Sequence, residues 1–237
     1  MLQLDNVTVR FGGVTAVNGL SLTVKTDEVT GLVGPNGAGK TTLFNAISGL
    51  ARPSAGRIVF NTVDVLKAPV YRRARLGLGR TFQVPQPLSR LTVRENILVA
   101  QRFGTGSVNA SRLNEILEFV GLSDKAERDA TSELALSELK ALEVGKALAT
   151  NPKLLLLDEV LAGLETTGKR RFMQMLKDMH VKFGVGILII EHDIETISNL
   201  CNRVAVLNFG ELIADGTPDD VFRNPAVIKS YTGAEHA

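Results

Sequence analysis

A glycine-rich stretch, Gly34–Thr42 (GPNGAGKTT), carries the spacing G-x-x-x-x-G-K-[ST]. The apolar run Val29–Val33 precedes it, and Leu43–Leu50 follows with helical spacing. In a strand–loop–helix unit of this kind, glycines let successive backbone N–H groups surround an anion, and the helix start adds its positive dipole end. Lys40 can then reach the β- and γ-phosphates of a nucleotide, and the Thr41 hydroxyl can hold Mg²⁺. The stretch therefore predicts a nucleotide site rather than a plain glycine turn. The predicted nucleotide-binding residues are Gly34, Pro35, Asn36, Gly37, Ala38, Gly39, Lys40, Thr41 and Thr42.

Two acidic residues, Asp158 and Glu159, end a second apolar run, Lys153–Leu157. A carboxylate such as Asp158 can anchor Mg²⁺, usually through water, and Glu159 can orient or deprotonate the water that attacks a γ-phosphate. Acidic residues also end many strands for solubility alone. The pair indicates a catalytic role because the glycine-rich loop lies upstream in the same chain.

Three further residues have a chemical use only beside that loop. His192 follows the apolar run Val185–Ile190 and could donate a hydrogen bond to the γ-phosphate. Gln83 could contact both the metal and the water. Phe11, at a turn, could stack on an adenine or, nearly as well, cover a sheet edge. Taken alone, His192 would more often be an ordinary surface or hydrogen-bonded histidine, and a lone glutamine indicates no site.

Strands and helices alternate along the chain in a way that would bring these residues together. Short strands open the sequence and predict a small antiparallel sheet. Ligands of an open parallel sheet bind beyond the carboxyl ends of its strands, so the loop, Asp158, Glu159 and His192 are expected to converge on one site. The predicted strands are Leu2–Arg10, Val14–Val17, Leu20–Val24, Val29–Val33, Arg57–Phe60, Lys153–Leu157, Val185–Ile190, Arg203–Leu207 and Glu211–Ala214. The predicted helices are Leu43–Leu50, Pro69–Leu76, Val93–Arg102, Ser111–Val120, Glu138–Ala149, Thr166–Lys182, Pro218–Phe222 and Pro225–Tyr231.

Composition is that of an ordinary globular protein, with 237 residues, 44% hydrophobic and 22% charged. The formal charge of +2 is too small to favour binding to nucleic acid or to a charged membrane surface. The basic cluster Tyr71–Arg75 is expected to be a solvated helix face. No apolar run reaches the length of a membrane span, and the N-terminal residues do not predict a secretory signal. The single cysteine, Cys201, is expected to be a packing residue among helix-like neighbours.

In order and over essentially the whole chain, these residues resemble the ATP-binding subunits of ABC transporters. The resemblance places Phe11 at the adenine-stacking aromatic, Gly34 to Thr41 at the Walker A loop, Gln83 at the Q-loop, Leu154 to Asp158 at the Walker B strand, Glu159 at the catalytic glutamate and His192 at the switch histidine. RTFQVPQPLSRLTVRENILVA, LLLLDEVLAGLE, ILIIEHD and NPAVIKSYTG are similar to importer subunits for branched-chain or other hydrophobic amino acids.

The resemblance implies a fold and a set of partners. The fold is α/β, a P-loop NTPase core with a mostly parallel sheet, an N-terminal antiparallel β subdomain and an inserted helical subdomain. One ABC ATPase domain would span residues 1–237, with the core at 1–83 and 150–237 and the helical subdomain at 84–149. Such subunits bind ATP and Mg²⁺, and they pair head-to-tail with themselves or with a second ATP-binding subunit. They work with two membrane-spanning permease subunits at the cytoplasmic face of the cell membrane, and indirectly with an extracytoplasmic solute-binding protein. No nucleic acid partner is implied.

The chain departs from the family at its signature motif, LSGGQ, which falls on Leu134–Glu138. Ala135 replaces the serine whose hydroxyl meets the opposite subunit's γ-phosphate, and Ser137 replaces a glycine; Glu138 is expected at the same contact. Losing one hydroxyl contact to a charged phosphate would cost about 1.5–3 kcal/mol. Val160 replaces the usual proline after the glutamate, and Glu165 replaces the aspartate of the D-loop.

Several other functions stay open. The importer could carry another small solute, such as urea or short amides, and the altered signature suggests a non-hydrolysing or regulatory subunit. An ABC-type protein of DNA repair or translation would share the loops, but it normally carries a long coiled-coil insertion or two fused cassettes. A phosphoryl-transfer kinase would need an acceptor pocket, which the sequence does not indicate.

Overall fold

The chain forms two compact units, one built from Met1–Arg73 together with the segment from Gly186 onward, the other from Ala74–Val185. A computed structural model describes residues 1–232, so the last five residues of the predicted domain lie outside the described part. The predicted helical subdomain, residues 84–149, falls inside the second unit, which also holds two strands and a further helix. That residues 84–149 form a separate helical subdomain stays a prediction.

The strands are β1 Leu2–Phe11, β2 Val14–Val24, β3 Val29–Val33, β4 Ala55–Phe60, β5 Val63–Asp64, β6 Leu78–Arg80, β7 Leu154–Asp158, β8 Gly186–Ile190, β9 Arg203–Asn208 and β10 Glu211–Gly216. The helices are α1 Lys40–Ser48, α2 Val70–Arg75, α3 Val93–Thr105, α4 Ala110–Phe119, α5 Leu136–Ala149, α6 Thr166–Phe183, α7 Ile194–Leu200, α8 Pro218–Phe222 and α9 Pro225–Thr232. Within residues 1–232, none of the helices has both the length and the apolar character needed to cross a membrane.

The first unit contains an antiparallel sheet and a set of parallel strands, the two kinds of strand pairing that the sequence predicts. β1 lies between β2 and β4, and β5 pairs with β4, all antiparallel. β3 lies between β8 and β9 and is parallel to both, while β10 pairs antiparallel with β9. Every residue of β3 and of β8 is buried, as expected for parallel strands covered on both faces. The carboxyl ends of β3, β8 and β9 therefore share one edge.

The predicted break between Val17 and Leu20 is wrong, because β2 runs without interruption from Val14 to Val24. Between the pairs Val7–Leu20 and Val9–Val17, β2 uses three residues where β1 uses two. Gly19 has φ +56°, so the extra residue forms a bulge and not a gap. The short strands β5 and β6 were not predicted, since two or three residues carry too little alternation to be recognised.

In the second unit, β6 runs parallel to β7, with Leu78 opposite Leu154. Helices α3, α4 and α5 pack together around Gly145 of α5. A β-carbon at this glycine would lie 3.3 Å from a methyl group of Ile97 and 3.5 Å from one of Ile116. The small residue therefore lets α5, the helix that carries most of the signature segment, approach its neighbours closely.

Arg73, which the sequence placed on a solvated helix face, is only 2% exposed, so that expectation is wrong for this residue. Its guanidinium donates to the Ala46 and Ile47 carbonyl oxygens at 2.7 Å each. It also donates to the carbonyl oxygens of Leu66 and Ala68, at 3.2 and 2.9 Å. The last carbonyls of a helix lack intrahelical partners. Arg73 therefore caps α1 at the end opposite the phosphate loop.

Cys201 follows α7 and is buried in the first unit, as expected for a packing residue. Burial, with a smaller contribution from the charge of Glu191, raises the pKa of its thiol to about 12. The thiol therefore stays protonated at neutral pH.

Candidate nucleotide site

The glycine-rich loop follows β3, and its conformation requires glycine at two positions. Gly34 has φ +145°, and a β-carbon there would lie 2.0 Å from the Leu207 carbonyl oxygen. Gly39 has φ +101°, and a β-carbon there would lie 2.3 Å from the Ala16 carbonyl oxygen. Both distances are shorter than any real contact, so the backbone takes this course only with bare Cα atoms. The loop therefore depends on glycine at both positions, and its role as a phosphate cradle stays a prediction.

Lys40 begins α1 and is held inside the loop, 6% exposed. Its ammonium donates to the Gly34 carbonyl oxygen at 2.7 Å and to the Pro35 carbonyl oxygen at 2.9 Å. Gly39 caps α1 without a side-chain hydrogen bond, so the N–H groups of the first turn are not consumed by a side-chain cap. A cation and a helix N-terminus therefore coincide where a phosphate would bind. Thr41, the second residue of α1, is exposed.

Two other predicted residues lie in the same unit. Phe11 ends β1 opposite Val14, and its ring is 55% exposed, as stacking on a base would require. His192 follows β8 and is exposed. Since Leu32 pairs with Ile190 in parallel, His192 leaves the sheet at the edge where Gly34 also leaves it. The roles of both residues in nucleotide binding stay predictions.

The second unit joins β6 and the Q-loop to the acidic pair by two side-chain contacts. The Arg80 guanidinium lies 3.1 Å from the Asp158 carboxylate, and these side chains are 8% and 5% exposed. Three residues later, the Gln83 amide donates to the Glu159 carboxylate at 2.6 Å. The parallel pairing of Arg80 with Leu156 places both contacts at the carboxyl ends of β6 and β7.

Arg80 was not recognised from the sequence, although it is the partner of the predicted metal-binding carboxylate. Burial lowers the pKa of its guanidinium and the Asp158 charge opposes that shift, so the guanidinium remains charged near neutrality. No local signal in the sequence marks this buried charge, because β6 has only three residues and the partner of Arg80 lies 78 positions away along the chain. An acidic partner on the neighbouring strand is the usual way to offset such a charge.

Glu159 has an unusual backbone, with φ +49°. This left-handed conformation is uncommon for residues other than glycine, asparagine and aspartate. Its carbonyl oxygen accepts from the Ala162 N–H at 3.2 Å, which closes the turn after β7. The turn directs the Glu159 carboxylate toward Gln83.

The signature segment forms the start of α5. Ala135 is the N-cap residue, and the Glu138 carboxylate accepts its backbone N–H at 2.9 Å. Ala135 has no side-chain oxygen to accept the Glu138 N–H in return, so only half of a capping box is present. Glu138 also pairs with Lys125, and this contact is the main reason why its pKa lies below the usual value. Ser137 lies within α5 and is absent from the residues with positive φ, so its side chain fits where the family has glycine.

The residues predicted to hold Mg²⁺ fit the ion by their chemistry. Thr41, Gln83 and Asp158 offer a hydroxyl, an amide and a carboxylate oxygen, the hard donors that Mg²⁺ prefers along with water and phosphate oxygens. Within residues 1–232, no group of three or more histidine, cysteine, aspartate and glutamate side chains could hold a metal by itself. Binding of Mg²⁺ by Thr41, Gln83 and Asp158 stays a prediction.

Comparison with known proteins identifies the family. The ABC transporter family model matches residues 17–162, and the model for branched-chain amino acid ATP-binding cassette transporters matches residues 211–237. The branched-chain amino acid transport ATP-binding protein LivG of Salmonella typhimurium is 35% identical over 250 residues, covering 98% of each chain. BraF of Pseudomonas aeruginosa is similar to the same extent, 35% identical over 98% of each chain.

Solved structures agree with the sequence relatives. An ATP-binding cassette of an ABC transporter in its ADP conformation matches with a TM-score of 0.87 at 31% identity, over 98% of each chain. A nucleotide-free cassette matches with a TM-score of 0.85 at 30% identity, again over 98% of each chain. The predicted fold is confirmed by these neighbours, and the chain belongs to the ABC transporter family as an ATP-binding, ATP-hydrolysing subunit.

Proposed function

We propose that this subunit powers the uptake of branched-chain or other hydrophobic amino acids. The observation that carries the proposal is the full-length similarity to LivG and BraF, two branched-chain amino acid transport ATP-binding proteins. The subunit would lie at the cytoplasmic face of the membrane, paired with itself or with a second ATP-binding subunit. Two membrane-spanning permease subunits and an extracytoplasmic solute-binding protein would complete the transporter.

Each side chain in the predicted site then has a role toward ATP. Phe11 stacks on the adenine, and the loop N–H groups with Lys40 bind the phosphates. Glu159 takes the proton from the attacking water, with Gln83 holding its carboxylate, and His192 donates to the γ-phosphate. Thr41, Gln83 and Asp158 would hold Mg²⁺, which neutralises developing charge on the phosphate oxygens when bound.

A second candidate is an importer subunit of reduced hydrolytic activity, because Ala135 lacks the hydroxyl of the usual signature. In a head-to-tail dimer the signature of one subunit completes the site of the other. Ala135 would therefore slow hydrolysis at the partner's nucleotide and leave the subunit's own nucleotide unaffected. A homodimer would be slowed at both sites.

Transport itself is the test of the proposed function. The subunit is reconstituted in liposomes with its permease subunits and binding protein, and ATP-dependent uptake of labelled leucine is measured beside labelled urea and acetamide. We expect leucine uptake that requires ATP and disappears with Lys40→Ala. Uptake of urea or acetamide without leucine would contradict the assignment to amino acids.

Replacing Ala135 with serine is expected to raise the ATPase kcat of the homodimer. The restored hydroxyl contact to phosphate corresponds to about 1.5–3 kcal/mol, a tenfold to hundredfold change. Ala110→Ser, at the start of α4, is the matched control and should leave kcat unchanged. Mixing the variant with a second ATP-binding subunit tests the direction, because only the partner's site should gain. An unchanged homodimer rate would show that Ala135 is not costly.

A further inference from the structure

Lys140 is a buried cation on α5 that no motif explains. It is 5% exposed, and its ammonium donates to the backbone carbonyl oxygen of Glu159 at 3.3 Å. A lysine so far from solvent is uncommon, since burial disfavours its charged form unless hydrogen bonds compensate. Its contact with the main chain of the proposed catalytic residue therefore requires an explanation.

The unusual backbone conformation of this turn sets the orientation of the Glu159 carbonyl group. With φ at +49°, the peptide after Glu159 is turned from the orientation that an extended strand would give it. The oxygen accepts from Ala162 N–H and from Lys140, which together use both of its lone pairs. At the other end of the residue, Gln83 holds the carboxylate. Glu159 is thus fixed at its main chain and at its side chain by different elements.

Lys140 also belongs to the helix that carries the signature. α5 begins immediately after Ala135, so Lys140 lies in the second turn, about 7 Å along the helix axis from the N-cap. Over that length an α-helix moves as a rigid element. A displacement of the signature end of α5 would therefore move Lys140 and alter its hydrogen bond to the Glu159 carbonyl.

We propose that Lys140 is a positioning residue that sets the geometry of Glu159 and couples it to the signature helix. This inference relies on the proposed function, in which Glu159 serves the subunit's own nucleotide and the signature serves the partner's. The contact then lets the state of one nucleotide influence hydrolysis of the other.

The test compares Lys140→Met, which keeps the apolar stem and removes the donor, with Lys140→Arg, which keeps a donor. Steady-state ATPase kinetics and thermal unfolding are measured for both and for Lys177→Met, an exposed lysine of α6. We expect Lys140→Met to lower kcat about tenfold, the change that follows loss of one hydrogen bond from a charged donor. The KM for ATP and the unfolding temperature should stay near wild type, Lys140→Arg should recover most of the rate, and Lys177→Met should be unaffected.

A second measurement separates positioning from a general effect on folding. In a Glu159→Gln background, Lys140→Met should cause no further loss of residual hydrolysis, since it acts through the removed carboxylate. A wild-type kcat for Lys140→Met would overturn the inference. So would parallel losses of ATP affinity and unfolding temperature, or a failure of Lys140→Arg to recover the rate. Absence of hydrolysis by the unmodified subunit would instead contradict the proposed function.

Discussion

Glu159→Gln is expected to lower the ATPase kcat about 10²- to 10⁴-fold, the usual contribution of a general base. The substitution is nearly isosteric, and the new amide oxygen can still accept the hydrogen bond from Gln83. The turn after β7 and the phosphate loop should keep their structures, because neither depends on the charge of this side chain. The loss is therefore expected in turnover and not in ATP binding.

Two measurements check this expectation. Phosphate release gives kcat, and size-exclusion chromatography with ATP and Mg²⁺ shows whether a dimer accumulates when hydrolysis is blocked. Glu118→Gln, on the exposed face of α4, is the matched control and should leave both properties unchanged. Substantial hydrolysis by Glu159→Gln would remove this residue from the role of base.

Arg80→Met is expected to lower the free energy of unfolding by about 3–5 kcal/mol, the usual cost of breaking a buried ion pair by removing one partner. The cost arises because the Asp158 carboxylate, only 5% exposed, loses the guanidinium that lies 3.1 Å from it. Methionine has similar length and no charge, so the change in packing should be small. We also expect the pairing of β6 with β7 to be weaker in this variant.

Urea unfolding of four proteins tests the origin of the loss: wild type, Arg80→Met, Asp158→Asn and the double variant. If the unpaired carboxylate is the cause, Asp158→Asn should restore part of the stability of Arg80→Met. Arg52→Met, an exposed arginine, should change stability by less than about 0.5 kcal/mol. A double variant no more stable than Arg80→Met would show that lost packing, and not charge, is responsible.

The residues of the predicted nucleotide site were easier to predict from the sequence than the contacts that support them. Glycines with obligatory conformations, such as Gly34 and Gly39, leave a local mark in the sequence because no other residue fits. The acidic pair at the end of β7 was equally visible, since the glycine-rich loop upstream in the same chain gave it a chemical use. Local spacing is sufficient for such features.

The supporting cations were missed for a physical reason. Arg73, Arg80 and Lys140 look like solvated charges in the sequence, yet each is buried against backbone carbonyls or a carboxylate. Apart from the Leu66 and Ala68 carbonyls that also bind Arg73, their partners lie between 19 and 78 positions away along the chain. No local pattern distinguishes a long-range partner of this kind from water.

The sequence revealed only part of what the substitution at Ala135 changes. α3 has a complete capping box, with Thr92 and Glu95 each accepting the other's backbone N–H. α5 keeps the glutamate of this pattern but has Ala135 in place of the hydroxyl residue. The sequence predicted a lost phosphate contact, and the structure adds that the same substitution removes half of the helix cap.

The backbone of Glu159 limits how the subunit can be engineered. Glycine at this position would relieve strain of about 1 kcal/mol, so a screen that selects only for thermostability would favour it. The same exchange would delete the carboxylate that we propose as the base for ATP hydrolysis. Directed evolution of a more thermostable subunit therefore has to keep a strained residue at position 159 and gain stability at other positions.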